Sequence, residues 1–295
     1  MTIEPHHGHP GSPGGKEGAD MTTYETPGPV RLKLRLASGE IDVRAADVAT
    51  TSVEVDVLSG DPAAAADVLL DVTPTPDGGH QVRVEAPMRY RMFARQPMFR
   101  FRLTVPNGAH LDARTASGAV AAAGRFGDAE VRTASGDVRI ERADGRVSVS
   151  TASGSVVVGP VGGDAEASNV SGSIRLGAVA GPLRLRGVSG RIEVEEAGGS
   201  VTAKTVSGDV DVHRLGAGQT RVDSVSGRVR LGVRPGLHVW MDLTSVSGRT
   251  TSELTPDGGG SSAHREAPAT LDIKVSTVSG DVHITTASEA VPAVS

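Results

Sequence analysis

The dipeptide Ser-Gly recurs at positions 117, 135, 153, 171, 189 and 207, five successive intervals of 18 residues. It continues at 226, 247 and 279, with intervals of 19, 21 and 32. Apolar residues keep register with it. Two residues after each Gly stand Val120, Val138, Val156, Ile174, Ile192, Val210, Val229 and Val282; two further on stand Ala122, Ile140, Val158, Leu176, Val194, Val212, Leu231 and Ile284. Upstream run Ala113, Val131, Val149, Ala167, Leu185, Ala203, Val222, Leu243 and Val275. The unit around Ser247 breaks the downstream columns with Thr250 and Ser252.

Alternation at period two places one set of side chains on one face of a strand. A repeat of 18 holds two such strands and two turns, and Gly after Ser fits a turn that needs a positive φ. A second turn carries Gly127, Gly145, Gly163, Gly181 and Gly199. A single unit buries too few side chains to offset the entropy of ordering it, so neighbours must stack and share one core. The expected fold is all-β: a single-stranded parallel β-solenoid with 18-residue coils. Val149, Leu185 and Val210 should point inward, and Arg132, Arg139 and Lys204 outward.

Composition agrees with a thin core. Only 2% of the 295 residues are aromatic, with one Trp, two Tyr and four Phe. There is no Cys, so disulfides and thiolate metal sites are ruled out. A net charge of −5 and a pI near 6.0 argue against nucleic acid as a partner. No apolar leader and no run of 18 apolar residues is present, and the expected location is cytoplasmic, at most peripheral to a membrane.

Along the chain, residues 1–26 read as a disordered tail, rich in Pro and Gly. His6, His7 and His9 lie in it without partner ligands at fixed geometry, which favours the tail over a metal site. Residues 27–110 read as an irregular opening β section, with Ser38-Gly39 between the alternations Val30/Leu32/Leu34/Leu36 and Ile41/Val43. Asp61-Pro62 ahead of four Ala predicts a short helix with Asp as N-cap. Residues 111–288 form the regular solenoid, interrupted by a loop over 255–269, and 289–295 form a C-terminal tail.

The repeated T-A-S-G-D-V-x-I and T-V-S-G-D-V-x-V units, preceded by Leu103-Thr104-Val105-Pro106-Asn107-Gly108, resemble a bacterial family of candidate adhesins with β-strand repeats, the domain of unknown function 4097. The likeness covers about residues 30–288. It implies a right-handed β-helix-like solenoid and a link with the bacterial cell envelope and its stress responses. It supplies no catalytic residues.

The chemistry-bearing residues have bland readings. The stacked Ser lack a neighbouring base, since His213 and His283 follow a Ser-Gly at a distance within strands, so the Ser read as turn residues. Asp137, Asp209 and Asp281 follow Ser-Gly directly, but Ala119, Ser155, Ser173, Arg191, Arg228 and Arg249 share that position, which excludes a continuous calcium ladder. A polysaccharide lyase or hydrolase would need paired carboxylates in an aromatic-lined groove, whereas the outward row Arg139, Arg175, Glu193, Asp211, Arg230 is mixed. No cofactor and no metal site is expected.

Residues 88–102 stand apart. Five Arg, three of the four Phe and three of the six Met fall there, and no Asp or Glu occurs from 86 to 111. The bland reading is a hairpin capping the solenoid. The functional one is a docking element for a protein partner or an anionic membrane surface, carried by Arg89, Arg91, Phe93, Arg95, Phe99 and Arg100. The chain is therefore expected to be a non-enzymatic scaffold or binding protein. The alternatives are a carbohydrate-active β-helix enzyme and a filament-like protein, because solenoid ends are sheet edges that invite homo-oligomers.

Overall fold

The structure is a computed structural model that describes residues 21–87, 97–254 and 270–287. His6, His7 and His9, the loop over 255–269 and the tail over 289–295 lie outside the described residues. In the regular part, each strand pairs in parallel with the strand one coil further on. β8 (Ala129–Ser135) turns through Ser135-Gly136 into β9 (Val138–Ala143), and β10 (Val147–Ser153) into β11 (Val156–Val158). The pattern repeats for β12 (Ala165–Ser171) and β13 (Ile174–Val179), then β14 (Leu183–Ser189) and β15 (Ile192–Ala197). It continues through β16 (Val201–Ser207) and β17 (Val210–Leu215) to β18 (Gly218–Ser226) and β19 (Val229–Val233). Ser135, Ser153, Ser171, Ser189, Ser207 and Ser226 stack directly on one another.

The columns read from the sequence are the core. Val131, Val149, Ala167, Leu185, Ala203, Val222 and Val275 are all buried, as is Val210. Arg132, Arg139 and Lys204 face solvent. The corner glycines answer to two demands at once. Gly190 has φ +124, and a Cβ there would lie 1.8 Å from the carbonyl oxygen of Gly172 in the coil below. Positive φ alone would favour glycine; the backbone of the neighbouring coil enforces it.

The opening stretch holds a complete coil. β2 (Val30–Ala46) runs unbroken through Ser38-Gly39 and matches β7 (His110–Phe126) residue for residue, with Ser38 on Ser117 and Gly39 on Gly118. Outside β2 lies another coil, made of β5 (His80–Glu85) and β6 (Met98–Pro106), each parallel to β2. Space and sequence disagree here, because the coil of 80–106 stacks beyond that of 30–46. Antiparallel strands then close this end. β3 (Thr50–Ser59) pairs with β6, β4 (Leu69–Pro74) with β5, and β1 (Thr22–Glu25) with β3. The short helix over Pro62–Asp67 is a 3-10 helix, with the Asp61 carboxylate accepting from the Ala63 N–H. The tail boundary expected at residue 26 is corrected: Thr22–Glu25 is a strand, and buried Thr26 hydrogen-bonds Thr51 through its hydroxyl at 2.8 Å. This polar stretch has no apolar alternation to announce it.

The far end repeats the inversion. β20 (His238–Ser247) and β21 (Thr250–Ser252) precede β22 (Thr270–Ser279) and β23 (Val282–Thr286) in sequence. In space β22 and β23 stack on β18 and β19, and β20 and β21 lie outermost. The unit expected to end the solenoid is therefore the penultimate coil. Thr250 and Ser252 break the apolar columns because, among the described residues, no coil stacks on the far side of theirs.

Candidate functional site

Of the residues expected to carry docking, Arg89, Arg91, Phe93 and Arg95 lie outside the described residues. The chain leaves β5 past Pro87 and returns at Pro97 to start β6. That is the corner which other coils close with Ser-Gly, since Gly39 pairs with Phe99. Phe99 corrects the expectation of an outward anchor: it is 2% exposed, with its ring 6.4 Å from that of Phe101. Alternation along β6 turns Phe99, Phe101 and Leu103 inward, so the aromatics of this part fill the outermost coil. Arg100 points outward, where its Nε donates to Glu40 at 2.7 Å. Arg102 bridges Glu54 at 2.7 Å and Asp56 at 2.6 Å. A stretch free of acids in sequence thus meets its acids across the sheet.

An open groove of about 520 Å³ crosses the outward face of the first coils. Arg31, Lys33, His110, Asp112, Asp128, Glu130 and Arg146 line it. Its carboxylates are paired with neighbouring bases. Arg35 holds Asp112 through two hydrogen bonds, at 2.6 and 3.0 Å, Arg132 holds Glu130 at 2.9 Å, and His110 Nδ1 accepts from the Asp128 N–H at 3.2 Å. Pairs of opposite sign continue up the coils, with Arg175 on Glu193, Arg191 on Asp209 and Arg230 on Asp211, each within 3.6 Å.

A general acid needs a carboxyl whose proton is held above its usual range. Here the shifts run the other way. A hydrogen bond from Arg83 lowers Glu85, and one from Arg125 lowers Asp144. The corner aspartates have a structural task. Asp137 accepts from the Ser155 N–H at 2.7 Å, Asp209 from Arg228 at 2.9 Å and Asp281 from Arg249 at 2.9 Å. Each ties a coil to the next at the corner. Among the described residues, no three His, Asp or Glu gather where a metal ion could sit, and no helix is long and apolar enough to cross a membrane.

Two surfaces escaped the sequence reading. The residue before each Ser-Gly is exposed, and it changes from Ala116, Ala134 and Ala152 to Val170, Val188, Val206, Val225, Val278 and Val246. The resulting valine ridge follows one corner of the solenoid. The alternation of T-A-S-G and T-V-S-G was its signal, but the repeat alone does not say which side of the corner that position faces. The second surface is the bare outer coil, where Trp240 is 73% exposed.

No curated protein matches the chain. Among solved structures, a candidate adhesin from Parabacteroides distasonis is 10% identical with a TM-score of 0.38, covering 90% of this chain and 97% of that one. A candidate lipid-binding protein from the same organism is 9% identical with a TM-score of 0.33, covering 91% and 96%. A candidate cell adhesion protein from Clostridium sporogenes is 8% identical with a TM-score of 0.29, covering 91% and 100%. Likenesses this distant carry nothing about ligand or role. The profile of Toastrack DUF4097 matches residues 101–285, the Ser-Gly coils and the β6 strand that leads into them, and the chain belongs to that family.

Proposed function

We propose that the chain is a non-enzymatic binding scaffold of the bacterial cell envelope, with the Arg-rich insert of residues 88–96 as its docking element. The observation that carries this reading is the pairing of outward charges coil by coil: Arg35 with Asp112, Arg175 with Glu193 and Arg230 with Asp211. Groups paired in this way tie one coil to the next. The envelope association extends the resemblance of the repeats to that family and is part of the proposal. The insert contributes Arg89, Arg91 and Arg95 without a single acid, and it issues from one corner of the rod. Basic residues near an anionic bilayer each add about 1 kcal/mol of attraction, so a cluster is enough for reversible docking.

The test is co-sedimentation with vesicles containing anionic lipid, for the wild type and for a variant with Arg89, Arg91 and Arg95 changed to Ser. The variant should lose binding, and raised salt should have the same effect on the wild type. Equal binding by both proteins, or capture of a protein partner by both the variant and the wild type, removes the insert from the reading. Turnover on a panel of glycans, abolished by one Asp or Glu substitution, would overturn the non-enzymatic assignment.

A further inference from the structure

The two ends of the solenoid are finished differently. At the first, the edges among the described residues are short: β1 has 4 residues and ends on Glu25, β4 has 6, including Asp71 and Pro74, and β3 runs beyond its pairing with β1 only over 54–59, with Glu54 and Asp56. Short strands, charge and proline are the devices that stop one edge from recruiting another. Val55, Val57, Leu70 and Val72, with Ala64 of the 3-10 helix, cover the end of the core.

At the second end β21 is short, at 3 residues, but β20 has none of these devices. β20 is 10 residues long and, among the described residues, pairs with β22 alone. Its other side presents the backbone donors and acceptors of an open parallel edge. Val239, Met241 and Leu243 continue the core columns of Leu271, Ile273 and Val275. Those three neighbours are at most 1% exposed, yet Met241 is 42% exposed, because none of the described coils covers it. Trp240 and Val246, at 73% and 79%, extend the apolar surface. The one charge within β20, Asp242, is held by Lys274 at 2.7 Å, so a second strand laid alongside would meet no unpaired charge from it.

We propose that this end is an interface between two copies of the chain, joined tail to tail about a twofold axis with β20 antiparallel to its equivalent. A second copy is the occupant that fits, because it brings the same long edge and the same exposed apolar column. Twofold pairing makes one patch serve both sides. Because the first end is capped, association closes at two copies and cannot run on as a filament. Ten residues at roughly 3.4 Å each give an edge of roughly 34 Å, and the two sheets, about 10 Å apart, add the open core between them, roughly 340 Å² before side chains are counted. That is a small face, which is why the dimer should be concentration-dependent.

The experiment uses the full chain. Light scattering and sedimentation should give a concentration-dependent dimer. The double substitution Trp240→Glu, Met241→Lys should weaken it at least tenfold, with the melting temperature unchanged at concentrations where both proteins are monomeric, since both side chains are exposed on the outer coil. The absence of Cys allows a second, independent measurement. With a bismaleimide crosslinker, Thr244→Cys should link to itself. Thr23→Cys, at the capped end, should link neither to itself nor, on mixing, to Thr244→Cys. A monomer at every concentration, a dimer that survives the double substitution, or a Thr23–Thr244 link would overturn the proposal. So would a monomer that dimerises only after deletion of residues 256–268, because the chain itself would then cover the edge.

Discussion

Between Phe126 and Val233 the order of coils in space is the order in sequence, whereas at both ends it is inverted. In the middle, each strand finds its partner about 18 residues away, and the turns between are as short as Ser-Gly. At the ends, the coil of 30–46 lies between those of 80–106 and 110–126, and the coil of 270–286 lies between those of 218–233 and 238–252. In a simple solenoid the first and last coils of the chain have one neighbour each and fray. Here both are clamped on two sides, and the exposed positions fall to coils tethered to the rest at both of their own ends. The cost is long-range pairing, which must wait for loop closure during folding.

The hardest way to break the middle is to charge its core. Val149→Asp would bury an unpaired carboxylate between Val131 and Ala167 and should cost several kcal/mol, about 4 or more. Because each coil supports its neighbours, the loss should spread, and melting followed by circular dichroism should show a large early transition. Arg139→Asp, on the outer face, should stay within about 0.5 kcal/mol. Equal damage from the two would mean that the register is wrong.

A second pair sets the clamped coil against the open one. Ile273 and Met241 occupy the same column, one coil apart. Ile273→Ala should cost about 2–5 kcal/mol, as for a fully buried aliphatic side chain. Met241→Ala should cost less than about 1 kcal/mol in the monomer, because its site can refill with water. Chemical denaturation of both variants, at a concentration where the chain is monomeric, reads the difference.

The third pair concerns glycine. Gly190 and Gly236 both have positive φ, but a Cβ added at Gly236 would meet nothing within 4 Å, while one at Gly190 would run into the Gly172 carbonyl. Gly236→Ala should cost about 1 kcal/mol, the backbone contribution alone. Gly190→Ala adds a steric clash with backbone and should exceed it, at about 2–3 kcal/mol. If the two denaturation midpoints coincide, close stacking is not what fixes glycine at the corner.

These contrasts also mark what the sequence made legible. The columns through Val131, Val149 and Leu185 gave the coil, its period and its inward face, because every coil repeats the same local rule. Neither inversion repeats, so no column records it. Thr250 and Ser252 did announce a break, but a polar residue at a core position reads equally as a defect or as the end of a stack. Phe99 misled for a related reason. In an aromatic-poor chain it stood out as an anchor, yet its alternation with Arg100 and Arg102 already placed it on the face of Phe101 and Leu103. The partners of Arg100 and Arg102, namely Glu40, Glu54 and Asp56, lie 46 to 60 residues away. No local reading reaches them.

The smallest expected effect is electrostatic, and it separates the capped end from the rest by pH. Glu85 ends β5 in the outermost coil of that end, and Arg83 on the same face donates to it at 2.7 Å. That hydrogen bond lowers the Glu85 pKa below its ordinary value of 4.5. The unfolded chain lacks the bond and takes up the proton first as the pH falls. Stability from this pair is therefore fully present above about pH 4.5 and is lost as the pH drops through the lower, folded value. Glu85→Gln removes the dependence, so the stabilities of wild type and variant should differ at neutral pH and converge in acid. The difference should be slight, because partly exposed ion pairs contribute little. Hydrogen exchange at the amides of β4 and β5 resolves it better than global melting, since opening of the cap need not unfold the middle coils. A difference that grows in acid would reverse the sign and show that Glu85 is stabilised in its protonated form, with Arg83 engaged elsewhere.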